Sequence, residues 1–380
     1  MVEQEVEGEL VQLDYRLEPP GKWASVTDGL SRSGLADSTI VRPIETMHRE
    51  SNVSSCVRQA AARLRESLEL VEPWAGEPGR RDEAFQVVAA ALDGCVAALA
   101  ATGLWGPDNR LPSSELWNAV GEILCRGWLQ NQARIKPRGY AGDYEMLARI
   151  YANRCCDDPL GKHFDRYFQQ QDAPQAVRNR MQMMAQWIAA RARQSRRPEQ
   201  PLRVAVVGSA FGLDVGAALR LLGSEPRSAL WISLLDMDPA ALEFARQHLA
   251  PLLAPADRLD AIPTNVFRLA QRRRLAAPLA NTDLLLCPGL FDYLDDSQAA
   301  EILRVYWEHL APGGQMHVFQ FAPHNPSRAY MEWLGNWYLI YRDAAQLGGL
   351  AAHAGIPPTA TELSAEPLGV DLLLSATRTV

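Results

Sequence analysis

The chain has 380 residues, of which 47% are hydrophobic and 22% are charged, a composition typical of globular proteins and a length sufficient for two domains. Its formal net charge of -7 argues against broad binding to nucleic acids or anionic membranes, because both need a basic surface. The six cysteines form no C-x-x-C pair and have no regular spacing, which favours reduced thiols in a cytoplasm and no metal centre.

The start of the chain gives no sign of export. Residues 1–10 are acidic and lack the basic start and apolar centre of a secretion signal. The longest apolar run, residues 85–105, is rich in alanine and contains Asp93. Because a charge in the middle of a membrane is costly, this run predicts a buried helix and no membrane span. The sequence therefore predicts a cytoplasmic protein.

Residues 1–195 predict a helical domain. Serines that can cap a helix precede the first two of three apolar stripes, at residues 54–55 and 113–114. Residues 194–201 are polar and contain two prolines, which places the domain boundary there. The three stripes at helical spacing are Val57, Ala61, Leu64, Leu68 and Val71; Leu116, Val120, Ile123 and Trp128; and Val177, Met181, Met184 and Ile188.

Residues 196–380 alternate between strand and helix patterns, which predicts a parallel sheet with right-handed crossovers. Asp238 is expected to cap one of the helices. The last two strands flank a Pro-Leu-Gly turn and predict an antiparallel hairpin, giving the strand order 3-2-1-4-5-7-6. Strands are predicted at 203–207, 230–235, 260–264, 282–287, 315–321, 359–365 and 371–377, and helices at 214–222, 239–250 and 297–310.

The first strand of this region runs into a glycine-bearing turn. Its glycines are Gly208, Gly212 and Gly216, with Ala210 where a dinucleotide-binding turn has its second glycine. This substitution weakens the case for a pyrophosphate ligand. S-adenosylmethionine has no phosphate, and needs a turn that admits its amino-acid portion and a carboxylate that accepts from both ribose hydroxyls. Asp236, at the end of the second strand, is placed for that contact, so the pattern predicts S-adenosylmethionine as the cofactor.

The remaining cofactor contacts are predicted at the carboxyl ends of the other strands, which meet at one edge of a parallel sheet. After the third strand, Asn265 offers adenine a polar edge, and Val266 or Phe267 offers a wall. Pro288 and Gly289 follow the fourth strand and are expected to border the sulfonium. The predicted cofactor set is Gly208, Ser209, Ala210, Gly212, Asp236, Met237, Asn265, Val266, Phe267, Pro288 and Gly289.

Three segments resemble one bacterial family. They read KPRGYAGDY at 136–144, GLFDYL at 289–294 and NPSRAYMEWLGNWYLIYR at 325–342. Together they resemble the methyltransferases of extracellular-factor (3-hydroxypalmitic acid methyl ester) biosynthesis, over roughly residues 131–380. The resemblance implies a class I methyltransferase with a Rossmann-like sheet, S-adenosylmethionine as cofactor, and carboxyl methylation of a hydroxy fatty acid in secondary metabolism. The family's expected first motif, A-C-G-P-x-x-E, is replaced here by VGSAFGLD.

Acceptor-side groups are predicted within these segments. Methyl transfer from a sulfonium is an in-line displacement, so a carboxylate acceptor needs alignment and no base, whereas a hydroxyl or ammonium acceptor needs a base. Arginines suit a carboxylate fork, tyrosines offer donors, and a histidine after the fifth strand is a candidate base. The predicted catalytic residues are Tyr140, His324, Arg328 and Tyr338, and the predicted substrate-binding residues are Arg138, Tyr140, Asp143, Asp292, Tyr293, Arg328 and Tyr341.

Several alternatives remain open. Arg328 or Arg342 could be an ordinary ion-pair partner of Glu332 or Asp343, and His324 could be a turn residue. The acceptor is a small or fatty acid, or else the sulfur or nitrogen of an amino-acid-like metabolite. A cofactor-binding protein without catalysis is a third alternative. The oligomeric state is open, with a homodimer among the alternatives, and residues 1–110 have no recognised counterpart.

Overall fold

The computed structural model describes residues 44–194, 200–271 and 273–379. The acidic start and most of the predicted boundary lie outside these ranges. Within them, a helical region at 44–194 precedes a seven-stranded sheet with helices on both faces.

The helical region consists of helices whose apolar stripes face a common core. All five residues of the first predicted stripe are buried, but their helix begins at Ile44, well before the predicted serine cap, because no proline or glycine interrupts 44–71. The second predicted stripe spans two helices, since the chain is extended at Gly127. The helices are α1 (Ile44–Val71), α2 (Arg81–Ala100), α3 (Arg110–Leu124), α4 (Trp128–Ile135), α5 (Tyr144–Tyr151), α6 (Gly161–Gln169) and α7 (Asp172–Gln194).

Helix α2 carries most of the apolar run. Among the described residues, Pro78–Ala100 is the one helical segment long and apolar enough to cross a membrane, by length and composition alone. In the structure Val88, Leu92 and Leu99 on one face of α2 are fully buried, while Asp93 on another face accepts a hydrogen bond from the Tyr167 hydroxyl at 2.6 Å. The run therefore packs as an amphipathic helix, with one face in a core, and is not buried all round.

The sheet has the predicted order 3-2-1-4-5-7-6, with parallel pairing throughout except for the last two strands. All seven predicted strands are confirmed. The fifth strand starts earlier than predicted, because its first residues pair with β4 across a register shift. The strands are β1 (Leu202–Val207), β2 (Leu230–Asp236), β3 (Arg258–Pro263), β4 (Thr282–Cys287), β5 (Leu310–Phe321), β6 (Thr361–Ala365) and β7 (Asp371–Thr377).

Helices cover both faces of the sheet, which explains why its central strands are almost continuously apolar. One face packs against α7, α8 and α9, and the opposite face packs against α11 and α13. Asp238 caps α9 as predicted, accepting from the Ala240 amide at 2.9 Å. These helices are α8 (Leu213–Leu222), α9 (Pro239–Leu249), α10 (Arg273–Ala276), α11 (Asp296–His309), α12 (Arg328–Trp333) and α13 (Ala344–His353).

A further apolar core connects the helical region to the C-terminal part of the chain. Its residues come from α1 to α7, from the end of β5 and the segment 322–341 that follows it, and from Val370 just before β7. Trp333, on α12, is fully buried among them, and Tyr330 stacks on Phe168 with ring centroids 5.3 Å apart. The segment with the most specific family resemblance therefore packs against the helices that precede the sheet.

Two glycines of the helical region give opposite expectations for substitution by alanine. A Cβ on Gly161 would lie 2.0 Å from the Arg126 carbonyl oxygen, whereas a Cβ on Gly94 in α2 would meet nothing within 4 Å. We expect Gly161→Ala to lower the free energy of unfolding by about 3 kcal/mol, because backbone must move. Gly94→Ala should raise it by about 1 kcal/mol through helix propensity. Urea unfolding measures both, and equal effects would contradict the packing around Gly161.

Candidate functional site

A cavity of about 410 Å³ opens at the carboxyl ends of the sheet strands. The turns after β1, β2, β3 and β4 form one side of it, and the loop at 136–143 with helices α5 to α7 forms the other. This is the edge where parallel sheets bind ligands. Predicted site residues that line it are Arg138, Tyr140, Gly208, Ser209, Ala210, Asp236, Met237, Val266, Phe267, Pro288, Gly289, Asp292 and Tyr293.

The turn after β1 has an unusual backbone. Gly208, Ala210 and Gly212 all have positive φ, at 68°, 45° and 65°. The value at Ala210 is strained for a residue with a Cβ, and the strain is held by a hydrogen bond from the Ala210 amide to Asp236 Oδ2 at 2.8 Å. Gly212 does not line the cavity; a Cβ there would lie 3.0 Å from Leu234. The turn therefore passes close to the end of β2.

Asp236 ends β2 with its carboxylate in the cavity wall and only 6% of the residue exposed. Besides the Ala210 amide, it accepts from the Asp238 amide at Oδ1, at 2.9 Å. Burial raises the pKa of Asp236 to about 6, against the lowering effect of these hydrogen bonds. Each oxygen accepts one backbone bond and keeps a second lone pair, so the carboxylate can accept from two further donors.

Asp214 is a wall residue outside the predicted set. It lies in the first turn of α8, is 5% exposed, and lines the cavity. Its Oδ2 atom is buried and has no hydrogen-bond partner among the described residues. Burial raises the pKa of Asp214 to about 6. Its place in VGSAFGLD, where the family motif has Glu, is the signal that could have identified it.

The loop at 136–143 forms part of the cavity wall. Tyr140 lines the cavity; burial, then the charge of Asp236, raises the pKa of its hydroxyl. Arg138 also lines the cavity, but it is paired with Glu145 at 2.7 Å and Asp238 at 3.1 Å. The charge of its guanidinium is therefore already balanced by two carboxylates, one of them at the start of α9.

Arg180 on α7 is a second wall residue outside the predicted set. It is 5% exposed and donates from Nη1 to Asp371 at 2.9 Å. Its surroundings include Asp292, whose Oδ1 accepts from the Gln320 side chain and the Phe321 amide. Burial, then the neighbouring Asp371, raises the pKa of Asp292 well above its usual range. The signal in the sequence was an arginine inside the otherwise apolar stripe at 177–188.

The rest of the wall is largely apolar. The stripe residues Val177 and Met184 belong to the core, as predicted, but they also face the cavity. Trp337 lines it as well and donates from Nε1 to the Tyr293 hydroxyl at 2.9 Å. The other apolar wall residues from α5 to α7, from the end of β5 and from the segment after it are Leu147, Ile150, Phe168, Ala173, Pro174, Phe321, Met331 and Leu339.

Three other predicted site residues do not line this cavity. Asn265 is exposed, leaving Val266 and Phe267 to form that wall. Asp143 caps α5, accepting from the Met146 amide at 2.9 Å, and it also accepts from the Gln132 side chain. The ring of Tyr341 stacks under the Arg328 guanidinium at 4.6 Å. Local capping and packing account for these positions.

The predicted catalytic residues His324, Arg328 and Tyr338 also lie away from the cavity, which corrects the expected grouping. His324 and Arg328 line a separate cavity of about 670 Å³ between α2, α6 and the segment after β5. His324 Nε2 lies 2.9 Å from the Gly369 carbonyl oxygen, and Arg328 Nε donates to Glu332 at 2.7 Å. Tyr338 donates to the Asn109 side chain at 2.7 Å. Of the predicted catalytic residues, only Tyr140 faces the cavity at the sheet edge.

Comparison with known proteins bears on the fold. No family model and no curated protein matches the sequence. The chain is similar to a possible exported protein from Bordetella parapertussis, with TM-score 0.51 and 17% identity over 90% of this chain and 100% of that one. At this identity the likeness concerns the fold alone.

Two methyltransferase structures are more distant. The S-adenosylmethionine-dependent methyltransferase SibL in its apo form has TM-score 0.43 and 16% identity over 89% of this chain and 100% of that one. An O-methyltransferase family protein from Burkholderia thailandensis has TM-score 0.41 and 17% identity over 90% and 99%. Both scores are too low to carry an inference. The strand order with its antiparallel last strand, the helical region before the sheet and the turn after β1 give this chain the class I methyltransferase fold.

Proposed function

We propose that the chain is an S-adenosylmethionine-dependent methyltransferase that methylates the carboxylate of a small or fatty acid. The observation that carries the first part is Asp236, a buried carboxylate at the end of β2 that lies beside the positive-φ turn and faces the cavity. Two hydroxyls of a ribose match its two remaining acceptor sites.

The wall residues fit this cofactor at both ends. Asp236 would accept from the ribose hydroxyls, and Val266 with Phe267 would flank the adenine. At the other end, the unpartnered Oδ2 of Asp214 is a buried carboxylate oxygen that lacks a donor, and an ammonium group supplies one. When bound, the cofactor supplies an electrophilic methyl group; the chain's own residues hold both reactants in line and exclude water.

The apolar wall supports an acceptor with a hydrocarbon body. Helices α5 to α7 and the segment after β5 contribute most of that wall, so the helical region would select the acceptor. A carboxylate oxygen already carries a free lone pair, and its methylation requires no base. Fatty and hydroxy fatty acids, which the family resemblance implies, combine these two properties.

Two measurements test this proposal. Isothermal titration with S-adenosylhomocysteine tests the cofactor, and no measurable binding would remove the whole proposal. Incubation with methyl-labelled cofactor and a panel of acids, namely decanoate, 3-hydroxydecanoate and benzoate, tests the acceptor. A carboxyl methyl ester loses its label in mild alkali. A labelled product stable to alkali would contradict the carboxylate assignment while leaving methyl transfer intact.

One observation favours a second candidate, N- or O-methylation of an acceptor that carries a proton. Asp292 lines the cavity, and its Oδ1 atom accepts both of the side-chain hydrogen bonds found among the described residues, from the Gln320 side chain and the Phe321 amide. A buried carboxylate with a raised pKa suits a general base. In this case the labelled product would survive alkali, and Asp292→Asn would abolish its formation with cofactor affinity unchanged.

The two raised carboxyl pKa values predict how cofactor affinity depends on pH. Asp236 and Asp214 each have a pKa of about 6 in the free protein, and both are proposed to bind as carboxylates. Below that pH each must lose a proton on binding, so affinity should fall as pH decreases. We expect S-adenosylhomocysteine to bind on the order of tenfold more weakly at about pH 5.5 than at about pH 7.5.

Titration calorimetry at a series of pH values measures this dependence. Asp214→Asn serves as the matched variant, because it removes one of the two titrating groups and should make the pH dependence shallower. An affinity that stays constant between these pH values would contradict the assignment of both carboxylates.

A further inference from the structure

Arg180 is part of the cavity wall and has one donor without a partner among the described residues. The Nη1 atom is bonded to Asp371, while Nε is buried and has no hydrogen-bond partner among the described residues. The Nε and Nη2 atoms form the side edge of the guanidinium, whose two parallel N–H groups match the two oxygens of a carboxylate. A buried donor without a partner is costly, so this edge is suited to a ligand.

The position of this edge is close to the proposed reaction centre. Nη2 lies 3.2 Å from the place where a Cβ on Gly289 would be, directly beside the turn after β4. On α7 the arginine lies between the apolar cavity residues Val177 and Met184. The guanidinium carbon is 5.9 Å from the Phe321 ring centroid. A charge in these surroundings is well desolvated, which strengthens its bond to an anion.

The groups around Arg180 determine which of its donors is free to bind a ligand. Asp371 is fully buried and holds Nη1, so the guanidinium cannot rotate freely. The Tyr151 hydroxyl is hydrogen-bonded to the same guanidinium, and burial raises its pKa to about 12 against the lowering effect of that bond and of the arginine's charge. Arg138, the other arginine of the cavity wall, is occupied by Glu145 and Asp238. Arg180 is thus the wall arginine with a donor left to offer.

We propose that the Nε and Nη2 edge of Arg180 binds a reactant carboxylate beside the methyl-transfer centre. This inference rests on the proposed function and adds a specificity residue to it. Two reactants can supply the group: the amino-acid end of the cofactor, or the acid acceptor. In either case, the anchored carboxylate fixes its reactant relative to Gly289 and the turn after β4.

The test compares Arg180→Gln with wild type for three probes. S-adenosylhomocysteine carries the cofactor's carboxylate, 5′-methylthioadenosine lacks the whole amino-acid end, and decanoate or benzoate is titrated into protein saturated with S-adenosylhomocysteine. The matched control is Arg227→Gln, since Arg227 forms an equally buried pair with Asp257 at 2.6 Å and does not line the cavity. Circular dichroism and melting temperature check that both variants fold.

Each result has one meaning. Loss of S-adenosylhomocysteine affinity on the order of 10- to 100-fold, with 5′-methylthioadenosine unchanged, supports the cofactor as the source of the carboxylate. A similar loss for the acid probes alone supports the acceptor. Unchanged binding of every probe, or equal loss for both nucleosides, overturns the inference and leaves Arg180 a structural partner of Asp371. If wild type binds neither nucleoside, the proposed function itself has failed.

The variant Arg180→Lys distinguishes recognition by two parallel N–H donors from attraction by a positive charge alone. A lysine keeps a positive charge near Asp371 but presents a single point donor. We expect it to restore folding stability without restoring more than a small part of the lost affinity. Full recovery of binding by lysine would contradict recognition by a two-donor edge.

Discussion

Asp236→Asn should weaken binding of S-adenosylhomocysteine by about 100-fold or more. The substitution removes the charge that would accept from two ribose hydroxyls, and hydrogen bonds to a charged group contribute roughly 1.5–3 kcal/mol each. It also disturbs the free protein, because the carboxylate accepts from the amides of both Ala210 and Asp238. An asparagine side chain can accept from only one of these amides and presents an NH₂ group to the other.

The matched control for this variant is Asp238→Asn. Asp238 caps α9 and pairs with Arg138 but does not line the cavity. Asparagine is as good a cap as aspartate, so cofactor affinity should change little. Titration calorimetry on both variants decides the matter. If Asp236→Asn bound S-adenosylhomocysteine as tightly as wild type, the proposed orientation of the nucleoside would be wrong.

Glu332→Ala should cause the largest loss of stability outside the cavity. The carboxylate of Glu332 is fully buried and accepts from the Gly106 amide at 2.7 Å, the Asn109 side chain at 2.9 Å and Arg328 Nε at 2.7 Å. It thereby connects α12 to the turn that precedes α3. Removing one partner of a buried ionic network typically costs about 3–5 kcal/mol.

For a chain of this size we expect a fall in melting temperature of about 5 °C. Glu362→Ala is the control, since Glu362 is an exposed residue on β6 and its removal should have little effect. S-adenosylhomocysteine affinity measured well below the transition should stay close to wild type, because Glu332 does not line the cavity. A melting temperature equal to that of wild type would contradict the network.

The sheet could be predicted from the sequence because its central strands are apolar on both faces and are separated by helical patterns. The turn at 208–212 and Asp236 then followed from topology, since residues at the ends of neighbouring parallel strands must meet. Helix ends in the first half were less predictable. Nothing in the local pattern distinguished the serines at 54–55 from capping residues, yet the helix continues through them to Ile44.

The acceptor side was much harder to predict, because its contacts join residues distant in the sequence. Arg328 was predicted to bind a substrate carboxylate, but it donates to Glu332, a buried carboxylate that also accepts from Asn109, far back in the chain. For Arg180 the local sequence does not by itself indicate a site. It lies among core residues of α7, as a packing residue would, and only the tertiary structure shows that this face of the helix borders a cavity.

Because residues 321–341 pack against α1 to α7, the helical region cannot be removed without exposing part of the C-terminal half of the chain. A clone beginning at residue 200 would retain every strand and the whole turn after β1. It would also uncover Trp333, Tyr330 and Leu334 to water, although all three are buried in the full chain. Large apolar patches of this kind drive self-association. Biochemists seeking a minimal catalytic fragment should therefore keep the helices and trim elsewhere.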